Sequence, residues 1–138
     1  MNSVAWALLA MAGYTLVAPL MKVALADIPS TFALVVSNTI LLAVAGTIVA
    51  VTEPESLSYL SHPKMTYVLA AGLCLTVGIY SYYRALALGP VSIVVPIFAM
   101  FIVTSSIVGI VFLEEALTVR RGVGIALGMV AVYLTATG

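Results

Sequence analysis

Five apolar stretches fill nearly all of this 138-residue chain, and every Asp, Glu, Lys and Arg lies at or beyond an end of one of them. The stretches cover residues 4–21, 32–51, 65–82, 91–113 and 119–134. A helix needs about 20 apolar residues to cross the roughly 30 Å of hydrocarbon in a bilayer, and each stretch reaches that length once its polar ends are included. We therefore predict an all-α, multi-pass protein of the cell membrane, either the inner or the plasma membrane. Its single transmembrane domain covers residues 1–138, with five helices at about 3–25, 31–52, 64–88, 91–113 and 119–137.

The composition argues against the other broad classes of protein. Hydrophobic residues make up 64% of the chain and charged residues 7%, whereas soluble domains carry about 25% charged residues. The formal net charge is zero and there is no basic run, so nothing indicates a nucleic-acid partner. The spans hold no Ser–His, Cys–His, paired-acid or metal-binding constellation, and we expect neither an enzyme nor a cofactor or metal site.

The first apolar stretch is interpreted as a membrane helix and not as a cleaved secretory signal. A signal peptide has a basic start and an apolar core of roughly 7–15 residues. Residues 1–3 carry no charged side chain, and the stretch at 4–21 is long enough to span the bilayer.

The odd number of spans and the balance of basic residues suggest insertion in both orientations. With the amino terminus inside, Lys64, Arg120 and Arg121 lie on the inner side, and Lys22 and Arg84 lie on the outer side. This three-to-two split is a weak bias under the positive-inside rule. Two oppositely inserted copies could pair as an antiparallel homodimer around an axis in the membrane plane, which makes an inverted repeat.

Motifs in the second half of the chain resemble a known transporter repeat. The chain has an aromatic-Arg-Ala-Leu run at 83–86, a Gly-Pro break at 89–90, Pro96 inside the next helix and a turn at 112–118 before a Gly-rich last helix. Together they resemble the EamA-type repeat of the drug/metabolite transporter superfamily. Glu114 stands where Gly is usual in that family. A looser match in the first helix is carried by Trp6, Gly13, Pro19 and Lys22.

The resemblance implies a function and an assembly. Most relatives carry two such repeats and ten helices, so this chain would be the single-repeat form, half of a 5+5 inverted-repeat transporter. The function implied is a small secondary transporter that moves an organic metabolite by alternating access, as an antiparallel homodimer in the lipid bilayer. The alternative is a non-transporting membrane subunit, or a half-transporter that pairs with a second repeat protein. The resemblance also implies a substrate cavity lined mainly by helices one, three and four.

Polar side chains within or near the spans, together with Pro96, are the candidates for binding the small-molecule substrate. No carboxylate lies in mid-span, which favours a facilitator or exchanger over a strict proton antiporter. In the third helix Gly72, Thr76, Tyr80, Tyr83 and Arg84 are spaced to share one face. The full set of candidate substrate-binding residues is Tyr14, Asn38, Thr76, Tyr80, Tyr83, Arg84, Pro96 and Ser105.

Five of these candidates also have a structural interpretation. Asn38 could form a hydrogen bond between helices, and Ser105 could bond to a carbonyl of its own helix. Arg84 could extend to the lipid headgroups. Tyr80 could pack with a hydrogen bond instead of lining a cavity, and Pro96 could simply bend its helix.

Small residues mark one face of the last helix. Gly124 and Gly128 are four residues apart, a spacing that permits close approach of two helices. We predict a dimer interface at Gly124 and Gly128, with packing inside one protomer as the alternative.

Overall fold

The chain is built from long α-helices joined by short connections. The computed structural model describes residues 2–114 and 116–137, and it has no strand within them. The helices are α1 (Ser3–Ala24), α2 (Ser30–Thr52), α3 (Met65–Leu88), α4 (Val91–Phe112) and α5 (Val119–Thr137), with a short 3₁₀ helix, Ser56–Ser61, between α2 and α3. All five α-helices are long and apolar enough to cross a membrane. The prediction of an all-α protein with five membrane-spanning helices is confirmed.

The helix ends follow from local turn chemistry. Between α3 and α4, Pro90 interrupts the helical bonding because it has no amide hydrogen. Its carbonyl then accepts the first amides of α4, at 3.1 Å from Ile93 and 3.0 Å from Val94. At the start of α5, the Arg121 amide donates to Thr118 Oγ1 at 3.3 Å, which is the bond expected of a threonine N-cap.

One compact unit comprises residues 2–19 and 88–137, within the part of the chain that the structure describes. In this unit α4 packs against α5. Val103 and Gly109 of α4 are buried, and a Cβ atom added at Gly128 would lie 3.4 Å from Val103 Cγ2. Gly128 of α5 therefore lies at the close contact between the two helices.

A second compact unit comprises residues 20–87, which hold the end of α1, all of α2 and nearly all of α3. Its buried residues lie at the start of α2 and at the end of α3: Ser30, Ala33, Tyr82, Tyr83 and Leu86. Leu86 has no exposed surface at all. The core of this unit thus lies near one end of its helices.

Most large apolar side chains are exposed in a single copy of the chain. Leu42 of α2 and Leu73 of α3 are 73% and 71% exposed, and the middle of α2 has no buried residue. Soluble monomers rarely show apolar surface of this extent. In a bilayer these side chains meet lipid tails, so their exposure fits a membrane-embedded chain.

Candidate functional site

A hydrogen bond between Tyr83 and Ser37 joins α3 to α2. The Tyr83 hydroxyl lies 3.1 Å from Ser37 Oγ, and Ser37 Oγ donates to the carbonyl oxygen of Leu34 at 3.2 Å. A serine hydroxyl has one hydrogen. When Ser37 donates it to the Leu34 carbonyl, the Tyr83 hydroxyl is the donor in the bond to Ser37. Tyr83 is only 4% exposed, and its ring packs beside that of Tyr82, with 6.3 Å between ring centroids.

Asn38 is anchored on the same turn of α2. Its Nδ2 donates to the Leu34 carbonyl oxygen at 2.9 Å, the same oxygen that accepts from Ser37 Oγ. Asn38 is half-buried. Its amide nitrogen is therefore held by its own helix and not by a neighbouring helix.

The exposed side of α3 carries Thr76, Tyr80 and Arg84, which we call the α3 polar ridge. The three residues are spaced four apart, so they follow one another along one side of the helix. Thr76 Oγ1 donates to the Gly72 carbonyl at 2.8 Å. Tyr80 is 44% exposed and Arg84 is exposed. Within residues 2–114 and 116–137, neither the Tyr80 hydroxyl nor the Arg84 guanidinium has a hydrogen-bond partner.

The remaining candidates, Tyr14, Pro96 and Ser105, belong to the first unit. Tyr14 of α1 is 70% exposed, and its hydroxyl has no partner among the described residues. Pro96 is half-buried inside α4, where it removes one helical hydrogen bond. Ser105 Oγ donates to the Ile102 carbonyl of its own helix at 3.2 Å.

Sequence reasoning missed the partner of Lys22. Lys22 Nζ donates to the carbonyl oxygen of Leu86 at 2.7 Å, which joins the last turn of α1 to the last turn of α3. The sequence did contain a signal for this bond, because Pro90 is four residues after Leu86 and cannot supply the amide that a continuing helix would offer to that carbonyl.

The two glycines assigned to a dimer interface have different surroundings. Gly128 packs against Val103 in the same protomer, whereas a Cβ added at Gly124 would meet nothing within 4 Å. Gly128 thus contributes to the contact between α4 and α5. The dimer interface at Gly124 and Gly128 stays a prediction. No group of three or more His, Cys, Asp or Glu that could hold a metal occurs among the described residues.

Comparison with known proteins identifies the family. The model of the EamA-like transporter family matches residues 1–137. The chain belongs to the EamA-like transporter family. It is also 34% identical over 122 residues to a Sinorhizobium sp. protein named as an uncharacterized transporter in cobO 3'region, and the match covers 88% of this chain and 86% of that relative. No solved structure matches the chain.

Membership in the EamA-like family confirms the resemblance seen in the sequence, and it gives the chain a transporter-type function in a membrane. For such a function the structure separates the α3 candidates into two groups. Tyr83 is used in bonding α3 to α2, while the α3 polar ridge remains open to the surroundings of the helix.

Proposed function

We propose that this EamA-like chain is a secondary transporter of an organic metabolite that works by alternating access, as an antiparallel homodimer in the cell membrane. The observation that carries the proposal is the α3 polar ridge, an exposed line of polar side chains on a helix that is apolar enough to span a bilayer.

The ridge runs from the middle of the span toward one surface. At about 1.5 Å per residue, Thr76, Tyr80 and Arg84 lie about 18, 12 and 6 Å from the end of α3 at Leu88. A phenol hydroxyl without a partner is costly in hydrocarbon, where no water can satisfy it. The ridge therefore suits a face that meets water or substrate in the working assembly, and does not suit a face covered by lipid tails.

The chemistry of the ridge indicates the class of substrate. It offers the Tyr80 hydroxyl and the Arg84 guanidinium as donors, while Thr76, whose hydroxyl hydrogen goes to the Gly72 carbonyl, offers an acceptor. The ridge can therefore bind hydroxyl, carbonyl or anionic groups of an organic molecule. The guanidinium lies toward the surface, where it would meet an anionic substrate first. The spans contain no mid-span carboxylate to carry a coupling proton, so facilitated diffusion or exchange is the mode that fits.

The number of spans in one EamA-like repeat supports the homodimer. Five helices place the two chain ends on opposite sides of the membrane, and an inverted second copy would complete a 5+5 arrangement. The three-to-two distribution of Lys and Arg across the two sides supports insertion in both orientations.

Transport by the purified chain tests the proposal. Metabolite profiling of cells with and without the gene would first identify candidate substrates, and vesicles reconstituted with this chain alone would then be tested for exchange of each labelled candidate. We expect saturable exchange that empty vesicles lack. Exchange that requires co-reconstitution with a second repeat protein would replace the homodimer with a half-transporter, and no exchange under either condition would contradict the proposed function.

A further inference from the structure

An open groove runs between α4 and α5 in the first unit. Its volume is about 430 Å³, a size within the usual range for small-molecule sites. The residues that line it are Ile102, Val103, Ser106 and Ile110 of α4, with Arg121, Gly124, Ile125 and Gly128 of α5. We call this feature the α4–α5 groove.

The groove extends from the membrane surface into the apolar part of the span. Arg121 is in the first turn of α5, and Gly128 is seven residues further along, which is about 10 Å deeper. On α4, Ile110 lies near the end at Phe112 and Ile102 lies deeper. Because the two packed helices are joined by a short connection, Ile110 and Arg121 belong to the same end of the groove.

The polarity of the groove changes along this direction. Arg121 is the one charged residue among the described residues that line it, and its Nη1 donates to the Ala116 carbonyl at 3.0 Å. That bond holds the guanidinium at the surface end, and its other N–H groups, which have no partner among the described residues, can donate to an anion. Ser106 donates its hydroxyl hydrogen to the Ile102 carbonyl at 2.8 Å, and the other residues that line the deeper part are apolar or glycine.

The two glycines give the groove its depth. A Cβ at Gly124 would meet nothing within 4 Å, and at Gly128 it would lie 3.4 Å from Val103 Cγ2. A larger side chain at Gly124 would therefore project into open space in the groove. Because Gly124 has no side chain, the space beside α4 can hold a narrow apolar group.

We propose that the α4–α5 groove binds an anionic phospholipid, with the headgroup phosphate at Arg121 and one acyl chain along Gly124 and Gly128. A cationic end at the surface and an apolar channel beneath it match the two parts of such a lipid, and basic pockets between transmembrane helices are known to bind anionic headgroups. The groove opens along helices that are surrounded by lipid in a bilayer. A second copy of the chain, which the predicted dimer interface at Gly124 and Gly128 would place here, is the competing occupant. An apolar helix of that copy would have to cover the Arg121 charge, so the lipid proposal places the homodimer interface on another face of the chain.

Native mass spectrometry of the detergent-solubilised protein tests this assignment, because the same spectra report bound lipids and oligomeric state. The protein would be titrated with phosphatidylglycerol and with phosphatidylcholine of the same chain length. We expect about fivefold tighter binding of phosphatidylglycerol, the size expected for one basic side chain that meets an anionic headgroup. Equal affinity for the two lipids would overturn the proposal.

Two variants test the role of the Arg121 charge. Arg121→Gln should abolish the preference for phosphatidylglycerol, and Arg121→Lys should retain it. The control Lys64→Gln removes an exposed charge assigned to the same side of the membrane and should leave the preference unchanged. If Lys64→Gln abolishes the preference and Arg121→Gln does not, the lipid binds elsewhere.

Filling the groove tests the position of the acyl chain. Gly124→Leu should weaken binding of both lipids, and Gly124→Ala should do so to a smaller degree with little risk to folding. Gly46→Leu is the matched control, because Gly46 of α2 also has nothing within 4 Å of an added Cβ. Loss of the dimer peak in Gly124→Leu, with lipid binding unchanged, would assign the groove to a second copy and overturn the lipid proposal. The lipid titration does not depend on transport, so the lipid proposal and the proposed transport can fail separately.

Discussion

Lys22 ties the last turn of α1 to the last turn of α3 through the Leu86 carbonyl, which accepts a 2.7 Å hydrogen bond from the Lys22 ammonium. The last carbonyls of a helix have no amide partner in the helix itself. At Leu86 the residue four positions later is Pro90, which has no amide hydrogen to donate. A cation at this end of α3 is also favourably placed with respect to the helix dipole.

Removing the ammonium should therefore destabilise the second unit. Lys22→Met keeps the length of the side chain but leaves the carbonyl of the fully buried Leu86 without this donor, which should cost about 1–3 kcal/mol. Lys22→Arg should recover part of the loss, because it keeps a cationic donor. Unfolding by denaturant in detergent measures the difference. Lys64→Met, at an exposed position, is the control and should change the stability little.

Glu114 adopts a backbone conformation that suits glycine. Its φ is 54°, in the left-handed region where a side chain with a Cβ costs about 1–2 kcal/mol. Glu114→Gly should therefore stabilise the chain by about 0.5–1 kcal/mol, less than the full strain because glycine also gains freedom in the unfolded state. Glu55→Gly is the control, since Glu55 has a φ of −88°, and it should give no stabilisation. A Glu114→Gly variant no more stable than the parent would contradict the strain argument.

The bond between Tyr83 and Ser37 can be measured with a double-mutant cycle. Tyr83→Phe and Ser37→Ala should each lower the free energy of unfolding by about 0.5–1.5 kcal/mol. The double variant should lose clearly less than the sum, because the second change removes a partner that has already lost its bond. Tyr67→Phe combined with Ser37→Ala is the control pair. Tyr67 is also in α3 but is 77% exposed, so its effect should be additive with that of Ser37→Ala.

The fold class could be predicted from the sequence because it depends on one physical requirement, the length of apolar chain that a bilayer demands. The arrangement of the candidate site could not. The sequence spacing of Tyr80 and Tyr83 places them on one face of the third helix. That spacing does not predict which edge of the face a neighbouring helix covers. In the structure α2 meets the Tyr83 edge, and Tyr80 stays 44% exposed.

The Lys22 bond and the two glycines illustrate the same limit. Lys22 reaches a carbonyl 64 positions away in the sequence, and only the packing of α1 beside α3 within the second unit brings the two residues together. Likewise, the spacing of Gly124 and Gly128 predicts a close helix contact but not the identity of the second helix. For Gly128 that helix is α4 of the same protomer, through Val103.

Insertion in both orientations can be tested with reporter fusions. Because the distribution of Lys and Arg is three to two, a carboxyl-terminal reporter should give signals from both sides of the membrane. Two added Lys residues in the connection between α2 and α3 should force one orientation through the positive-inside rule, and two added Gln residues should not. If the unmodified chain is entirely one-sided and still transports as a homomer, the antiparallel arrangement is wrong.

Transport by variants of the α3 polar ridge tests the substrate path most directly. Tyr80→Phe removes one hydroxyl that has no hydrogen-bond partner among the described residues, so folding and insertion should stay near normal while transport falls. Arg84→Gln should reduce transport of an anionic substrate by more than that of a neutral one, because only the anion gains from the positive charge.

Tyr67→Phe provides the matched control for these measurements, since Tyr67 is an exposed tyrosine in the first turn of the same helix. Rates would be measured in reconstituted vesicles at equal protein content, so that a loss of insertion is not mistaken for a loss of transport. A fall in the transport rate for Tyr80→Phe but not for Tyr67→Phe would place the substrate along the α3 polar ridge. If Tyr80→Phe and Arg84→Gln both transport at the parental rate, the ridge contacts a protein partner or the headgroup region instead of the substrate. Removing groups that bind the substrate would have changed the rate.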